Sequence, residues 1–221
     1  MIPNRKIHVD PMDTRRRLDE LGLKEEHLLT AVRRGHAARL ACTANHPSQS
    51  PGYYAWSETV CTFREQVIPL DWERSDEGNL PFTVNPDRSV AIAVATGDED
   101  TGRPDREPCT KSSKGPRTKN AVDENEHQML LFGDIRLRPE DLKKINARMT
   151  WLLLIHCDTQ SREVRSELSR PVSMNDEGHV DGWDERIILT PFPFDSDLVN
   201  VHPLDNAPQG PEIVVEIKRR A

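Results

Sequence analysis

Long apolar runs are missing from this 221-residue chain. The longest, at residues 90–95, has about six residues, whereas a membrane-spanning helix needs roughly 20. The first residues carry neither the apolar core nor the small-residue cleavage site of a secretory signal. We therefore expect a cytoplasmic protein without a membrane segment.

Apolar residues are scarce throughout the chain. Hydrophobic residues make up 35% of it and charged residues 30%, and there are 17 prolines. This composition predicts one compact domain over residues 1–221, with a small core and extensive loops. The formal net charge of -7 argues against general, sequence-independent binding to nucleic acid, so any contact with phosphate must be local.

Paired metal-binding and catalytic motifs are also absent. The four cysteines are widely spaced, without a C-x-x-C pair, and the eight histidines show no H-x-x-x-H spacing. No G-x-S-x-G elbow, Rossmann glycine pattern or kinase signature is present. These absences exclude the commonest zinc, hydrolase, dehydrogenase and kinase classes. Cys109, in a polar loop, is the best placed of the cysteines for a catalytic thiol, but it has no evident histidine partner.

The N-terminal part, residues 10–68, is predicted to be helical. Asp10 and Pro11 have the residue types of an N-cap and a first helical position, and Gly22 separates helices at 11–21 and 24–41. The pair resembles a helix-turn-helix only superficially, and we interpret it as an amphipathic pair packed on a sheet.

A third helix is predicted over residues 56–68. Trp56, Val60, Phe63 and Val67 recur at helical spacing, which is typical of a face buried in the core. Stacking of a base on these aromatic rings is the alternative interpretation.

The rest of the chain has the shorter period of strands. The fold class predicted is α+β, with a mainly antiparallel sheet packed against the N-terminal helical pair and the third core helix. A meander joins the first three strands, with a turn at residues 85–88. Strands are predicted at residues 71–75, 80–84, 89–96, 151–155, 162–169, 185–190 and 212–219, with a further apolar strand or partner-facing segment at 129–132 and a short helix at 139–148.

A long polar loop, residues 97–127, follows the apolar strand at 89–96. Loops of this length in compact domains are functional or disordered. It begins with Asp98, Glu99 and Asp100, and carboxylates at the exit of a strand are suited to holding Mg²⁺. Such a turn is equally typical of a solvated surface that pairs with neighbouring arginines. Magnesium is the only cofactor that the sequence suggests.

Residues 110–119 of the same loop carry four basic side chains and no acidic one. Basic groups, hydroxyls and a glycine together offer donors to phosphate oxygens. The order of residues is not that of a P-loop. The phosphate or nucleic-acid contacts predicted from this segment are Lys111, Ser112, Lys114, Arg117 and Lys119.

Near the C-terminus, Glu216 and Lys218 flank Ile217. This segment resembles the E-x-K half of the motif of PD-(D/E)xK nucleases, in which the acidic residue binds Mg²⁺ and the lysine assists the attacking water. The resemblance covers three residues, and the acidic turn at Asp98 and Asp100 lies far upstream. An edge strand ending in a basic tail is the alternative interpretation.

Three functions remain open at this stage. The leading hypothesis is a non-catalytic accessory protein, of bacterial type, that contacts nucleic acid or a phosphate-rich partner through the basic loop as part of a larger assembly. The second is a magnesium-dependent nuclease or phosphoesterase using Asp98, Asp100, Glu216 and Lys218. The third is a protein-protein interaction subunit, in which both charge clusters are merely solvated.

Overall fold

The computed structural model describes residues 5–76, 80–132 and 148–194. Its described residues form four α-helices and one mixed sheet of eight strands. The helices are α1 (Pro11–Glu20), α2 (Glu25–Leu40), α3 (Ser50–Val67) and α4 (Pro116–Phe132), with a 3-10 turn at Ile68–Leu70. The strands are β1 (Lys6–His8), β2 (Glu73–Ser75), β3 (Phe82–Val84), β4 (Val90–Thr96), β5 (Met149–Asp158), β6 (Glu163–Met174), β7 (Val180–Ile188) and β8 (Phe192–Pro193).

The N-terminal helices begin and end where the sequence signals lie. The Asp10 side chain accepts hydrogen bonds from the backbone N–H groups of Met12 and Asp13, and Pro11 occupies the first position of α1. Gly22 has a φ of 75°, a left-handed conformation that glycine adopts without steric cost. The predicted helical pair is confirmed.

The sheet has the strand order β1-β7-β6-β5-β4-β3-β2, and β8 pairs with β6. Five of the seven strand pairs are antiparallel, and the meander β2-β3-β4 is among them. The α+β class with a mainly antiparallel sheet is therefore confirmed. Two pairs are parallel: β1 with β7, and β4 with β5.

The two faces of the sheet bury different elements. On one face, α1, α2 and α3 enclose a core that includes Leu28, Phe63, Ile92, Trp151 and Leu168. On the other, α4 packs on β5 and β6. Its Val122 joins a smaller cluster around Ala93 and Trp183. The near-continuous apolar sequence of β4 follows from this, since both of its faces are covered.

Two parts of the predicted organisation are wrong. The long loop ends at Gly115 instead of residue 127, because Pro116 occupies the start of α4 and the helix continues to Phe132. The strand predicted at 129–132 is the last turn of that helix. A short apolar run occurs in helices as well as in strands and periodicity alone does not distinguish the two, which explains the error. The elements predicted at 139–148 and 212–219 lie largely or wholly outside the described residues.

No helix within the described ranges combines the length and apolar character that crossing a lipid bilayer requires.

Candidate functional site

The parallel pairing of β4 and β5 brings two strand ends to one edge of the sheet. Thr96 lies opposite Ile155 in the register, so Gly97 and His156 follow side by side. The backbone N–H of Gly97 donates to the carbonyl of Ile155 at 3.0 Å. Open α/β sheets bind ligands at the carboxyl ends of parallel strands, which makes this edge the first place to look for a site.

A crevice of about 90 Å³ opens at this edge, between the sheet and helices α2 and α3. The two helices approach closely because Gly35 has no side chain: a Cβ placed there would lie 2.5 Å from the carbonyl oxygen of Ala55. We call this opening the cationic crevice. Its lining comprises Val32, Gly35, His36 and Arg39 of α2; Gly52, Ala55, Trp56 and Thr59 of α3; Val94, Ala95, Thr96 and Gly97; Ile155, His156 and Cys157; and Lys111.

The charge of this lining has one sign. Arg39 and Lys111 are its permanently charged residues, and no Asp or Glu is found among the described residues that line it. No ion pair joins either cation to a carboxylate within the described parts of the chain. The first turn of α3, which borders the crevice at Gly52, also lacks an acidic residue, so the positive end of that helix dipole is not neutralised by its own side chains.

Two histidines, His36 and His156, also line the crevice, and protonation would give each ring a second hydrogen-bond donor. His36 is 3% exposed, and its Nε2 has no hydrogen-bond partner among the described residues. Burial lowers the pKa of His36, and the charge of Arg39 lowers it further. Burial likewise lowers the pKa of His156, whose Nδ1 lies 3.5 Å from the carbonyl oxygen of Gly97. Both rings are therefore mainly neutral near pH 7.

Cys157 lies against His36, with its sulfur 3.7 Å from Nδ1 of the ring. A thiol beside an imidazole is the arrangement of a cysteine nucleophile and its base. Burial, however, raises the pKa of the Cys157 thiol, and the nearby charges of Arg39 and Lys111 offset this only in part. The group is thus a protonated thiol at neutral pH, which favours binding over nucleophilic chemistry. Burial also raises the pKa of Cys109, the candidate thiol of the loop.

The loop after β4 is fixed across the second face of the sheet. We call residues 97–115 the strap. Glu167 and Arg186, both 0% exposed, form a buried ion pair beneath it, with Nη2 of Arg186 2.5 Å from Oε2 of Glu167. The same carboxylate accepts the backbone N–H of Gly102 at 2.8 Å, and Arg186 donates to the carbonyl oxygen of Arg106 at 2.6 Å.

Further polar contacts hold the strap along its length. Arg165 donates to the carbonyl oxygens of Glu99 and Thr101 at 2.8 and 3.0 Å, and the indole N–H of Trp183 donates to the carbonyl of Pro108 at 2.8 Å. These contacts satisfy backbone groups that would otherwise be buried without partners. The strap is therefore an ordered covering of the sheet.

The acidic turn of the strap supports its backbone. The Asp98 carboxylate accepts the N–H groups of Asp100 and Cys109 at 3.2 and 3.0 Å, and it thereby joins the beginning of the strap to Cys109. The Glu99 side chain is exposed. Among the described residues, no three His, Cys, Asp or Glu side chains converge as ligands of one metal ion. Glu216 and Lys218 lie outside those residues, so the magnesium site and its catalytic use stay predictions.

The basic residues predicted to bind phosphate are divided between two places. Lys111 is held by its N–H, which donates to the carbonyl of Thr96 at 2.9 Å, and it lines the cationic crevice. Ser112 is exposed, and Lys114 is half-buried, with a pKa that burial lowers. Arg117 and Lys119 are exposed on the first turns of α4. Of the five, only Lys111 is part of the crevice lining.

Most of the crevice was missed by reasoning from sequence. Arg39 had the pattern of a solvated helix surface, and His36 and His156 are far apart in the chain. The signal that finds them is the parallel neighbour relation of β4 and β5, which places the two strand exits together. Comparison with protein-family models, curated proteins and solved structures found no match.

Proposed function

We propose that this protein is a non-catalytic binding module that receives a phosphate group in the cationic crevice. The observation that carries the proposal is the one-sided charge of the lining: Arg39 and Lys111 face the opening without a carboxylate of the described residues to neutralise them. Arg39 is half-buried and therefore loses part of its hydration, which an anion restores, while the exposed Lys111 adds a second positive charge at the opening.

The size of the crevice limits what enters it. Pockets for drug-sized ligands measure about 300–1,000 Å³. The cationic crevice, with about 90 Å³, admits one small group such as a phosphate, and the remainder of the ligand stays outside. This is consistent with a net charge of -7, because a local site does not require a basic protein. A nucleic acid or a phosphate-rich partner that presents one phosphate at a time fits these limits.

Titration calorimetry with ribose 5-phosphate, a phosphate ligand without a base, tests the proposal. We expect saturable binding that weakens about tenfold or more in Arg39→Gln and in Lys111→Gln, since each loses a charge-assisted hydrogen bond. Arg15→Gln removes the same charge from an exposed position on α1 and controls for net charge. Its affinity should equal that of the wild type.

Lys119→Gln separates the crevice from the wider basic segment. Lys119 is exposed on α4 and does not line the crevice. If Lys119→Gln weakens binding as much as Arg39→Gln does, the ligand binds the surface of residues 110–119 and the crevice proposal is wrong. Absence of any binding to the wild type would also overturn it.

A further inference from the structure

Helix α3, which borders the cationic crevice, carries exposed aromatic rings in its first turns. The chain has only two tyrosines, and both stand in the first turns of α3: Tyr53 is 61% exposed and Tyr54 is 43% exposed. Trp56, one turn along the helix, is half-buried and lines the crevice itself. The other three tryptophans, by contrast, are buried in the core.

The two ends of α3 therefore have different surroundings. Phe63 and Val67 are fully buried against the sheet, as a core helix requires. Tyr53 is exposed and Trp56 packs half-buried at the edge of that core, and their ring centroids lie 6.0 Å apart with planes inclined at 45°. Residues three apart share one side of a helix, so these two rings form a continuous apolar ledge. We call Tyr53 and Trp56 the aromatic ledge.

The ledge adjoins the place where the rest of a bound ligand must lie. Trp56 belongs to both features, since it lines the crevice and contacts the Tyr53 ring. Because the crevice admits only one small group, the part of the ligand next to the phosphate remains outside, at the rim where the ledge is exposed. A flat, aromatic group in that position stacks on exposed rings, and every nucleobase presents such a face.

We infer that the ligand of the crevice is a nucleotide unit, with its phosphate between Arg39 and Lys111 and its base on the aromatic ledge. This inference rests on the proposed function, because it assumes that a phosphate occupies the crevice. Stacking of this kind is tolerant of sequence and discriminates little among bases. The chemistry is shared by a free mononucleotide and by the phosphorylated end of a single strand.

The test compares two ligands that differ in the base. Ribose 5-phosphate and adenosine 5′-monophosphate carry the same phosphate, so their difference in affinity reports the base. We expect the mononucleotide to bind about tenfold more tightly to the wild type. Tyr53→Leu should remove most of this difference and leave the affinity for ribose 5-phosphate unchanged, while Tyr53→Phe, which keeps the ring, should retain it. Tyr53 is largely exposed, so these variants are expected to fold.

Different failures identify different errors. Equal affinity for the two ligands, or a mononucleotide affinity that Tyr53→Leu does not change, overturns the base contact and leaves the phosphate site standing. If neither ligand binds, the proposed function fails together with this inference.

A third probe, a decathymidylate with a 5′-phosphate, distinguishes the sources of the nucleotide. If it binds more tightly than the mononucleotide and loses affinity on removal of the terminal phosphate, the site receives strand ends. If the mononucleotide binds at least as well, a free nucleotide is the ligand. Both results support the base contact.

Discussion

Two groups of charges lie on opposite sides of the sheet, and they differ in whether they are paired. Beneath the strap, Arg186 and Glu167 bind each other and the strap backbone, which leaves both side chains satisfied although neither is exposed. In the cationic crevice, Arg39 and Lys111 have no carboxylate partner among the described residues. A buried charge is costly unless it is compensated, so the pair of Glu167 and Arg186 has a structural role. Arg39 is half-buried and Lys111 is exposed, so their charges are accessible to a ligand.

The same contrast separates two histidines. His8 is buried between the carboxylates of Glu185 and Asp13, and its Nε2 lies 2.9 Å from Glu185. Burial alone lowers the pKa of His8, but the hydrogen bonds and charges of these carboxylates more than offset it, and the net effect is a raised pKa. No carboxylate within the described ranges raises the pKa of His36, and burial and the charge of Arg39 lower it. The carboxylates thus favour the charged form of His8, and burial favours the neutral form of His36.

The largest effect is expected at the paired site. Glu167→Ala leaves Arg186 buried without its counter-charge and removes the acceptor for the Gly102 N–H. Breaking a buried pair from one side costs about 3–5 kcal/mol in the free energy of unfolding, which chemical denaturation measures. Glu99→Ala, on the exposed surface of the strap, is the control and should change stability by less than about 0.5 kcal/mol. A similar small effect at Glu167 would contradict a structural role for the pair.

A smaller loss of stability is expected at Gly35, where α2 and α3 approach each other beside the crevice. Gly35→Ala places a Cβ within 2.5 Å of the backbone carbonyl of Ala55 and forces α2 away from α3. Overpacking of this kind destabilises by about 1–3 kcal/mol, and the separation of the helices should also weaken ribose 5-phosphate binding. Gly52→Ala is the matched control for stability alone, because a Cβ there meets nothing within 4 Å but the residue lines the crevice. It should shift the midpoint of thermal unfolding only slightly.

The two histidines should change stability with pH in opposite directions. A raised folded pKa means that the contribution of His8 is complete below about pH 6.5 and is lost as the pH rises through its folded value. A lowered folded pKa means that His36 opposes folding as the pH falls below about 6.5, where the unfolded chain takes up a proton more readily. Unfolding free energies measured from pH 5 to 9, relative to His8→Gln and His36→Gln, report each contribution. If the contributions of His8 and His36 to the unfolding free energy changed with pH in the same direction, the distinction between a paired and an unpaired histidine would be wrong.

The smallest effect concerns an anion in the crevice. Sulfate keeps its charge across this pH range, so it reports protonation of the protein alone. Because an anion favours the charged form of His36 and His156, sulfate affinity should increase as the pH falls from 8 to 6. Calorimetry in two buffers of different ionisation enthalpy would detect the proton uptake. A sulfate affinity independent of pH would place the anion away from these rings.

The sequence predicted elements well where local signals were strong. Asp10, Pro11 and Gly22 act within a turn of the chain, and the helices around them form as predicted. The strap shows the limit of such reasoning. Its length and polar composition were evident, but the predicted loop wrongly included residues 116–127, which belong to helix α4. A polar helix with weak periodicity resembles a loop when its packing against the sheet is unknown.

The candidate site depends on contacts between residues that are far apart in the sequence. Of the basic residues proposed from the sequence, Lys111 lines the crevice, because it was chosen for its charge and its position after β4. Arg39, Trp56 and His156 come from three separate elements, and no spacing in the sequence relates them. The prediction of a mainly antiparallel sheet did not identify β4 and β5 as a parallel pair, and the ends of these two strands form the site.

By itself, the sequence determined the N-terminal helices, the class of fold and the presence of a basic segment within an acidic chain, because caps, periodicity and composition are properties of the chain before it folds. The tertiary structure alone decided which charges are paired. Glu167 contacts Arg186 between the neighbouring strands β6 and β7, and Arg39 and Lys111 line the same crevice, because sheet order and helix packing bring together residues that are distant in the chain. The energy of a charge depends on its neighbours in space, and those neighbours are fixed only when the chain has folded.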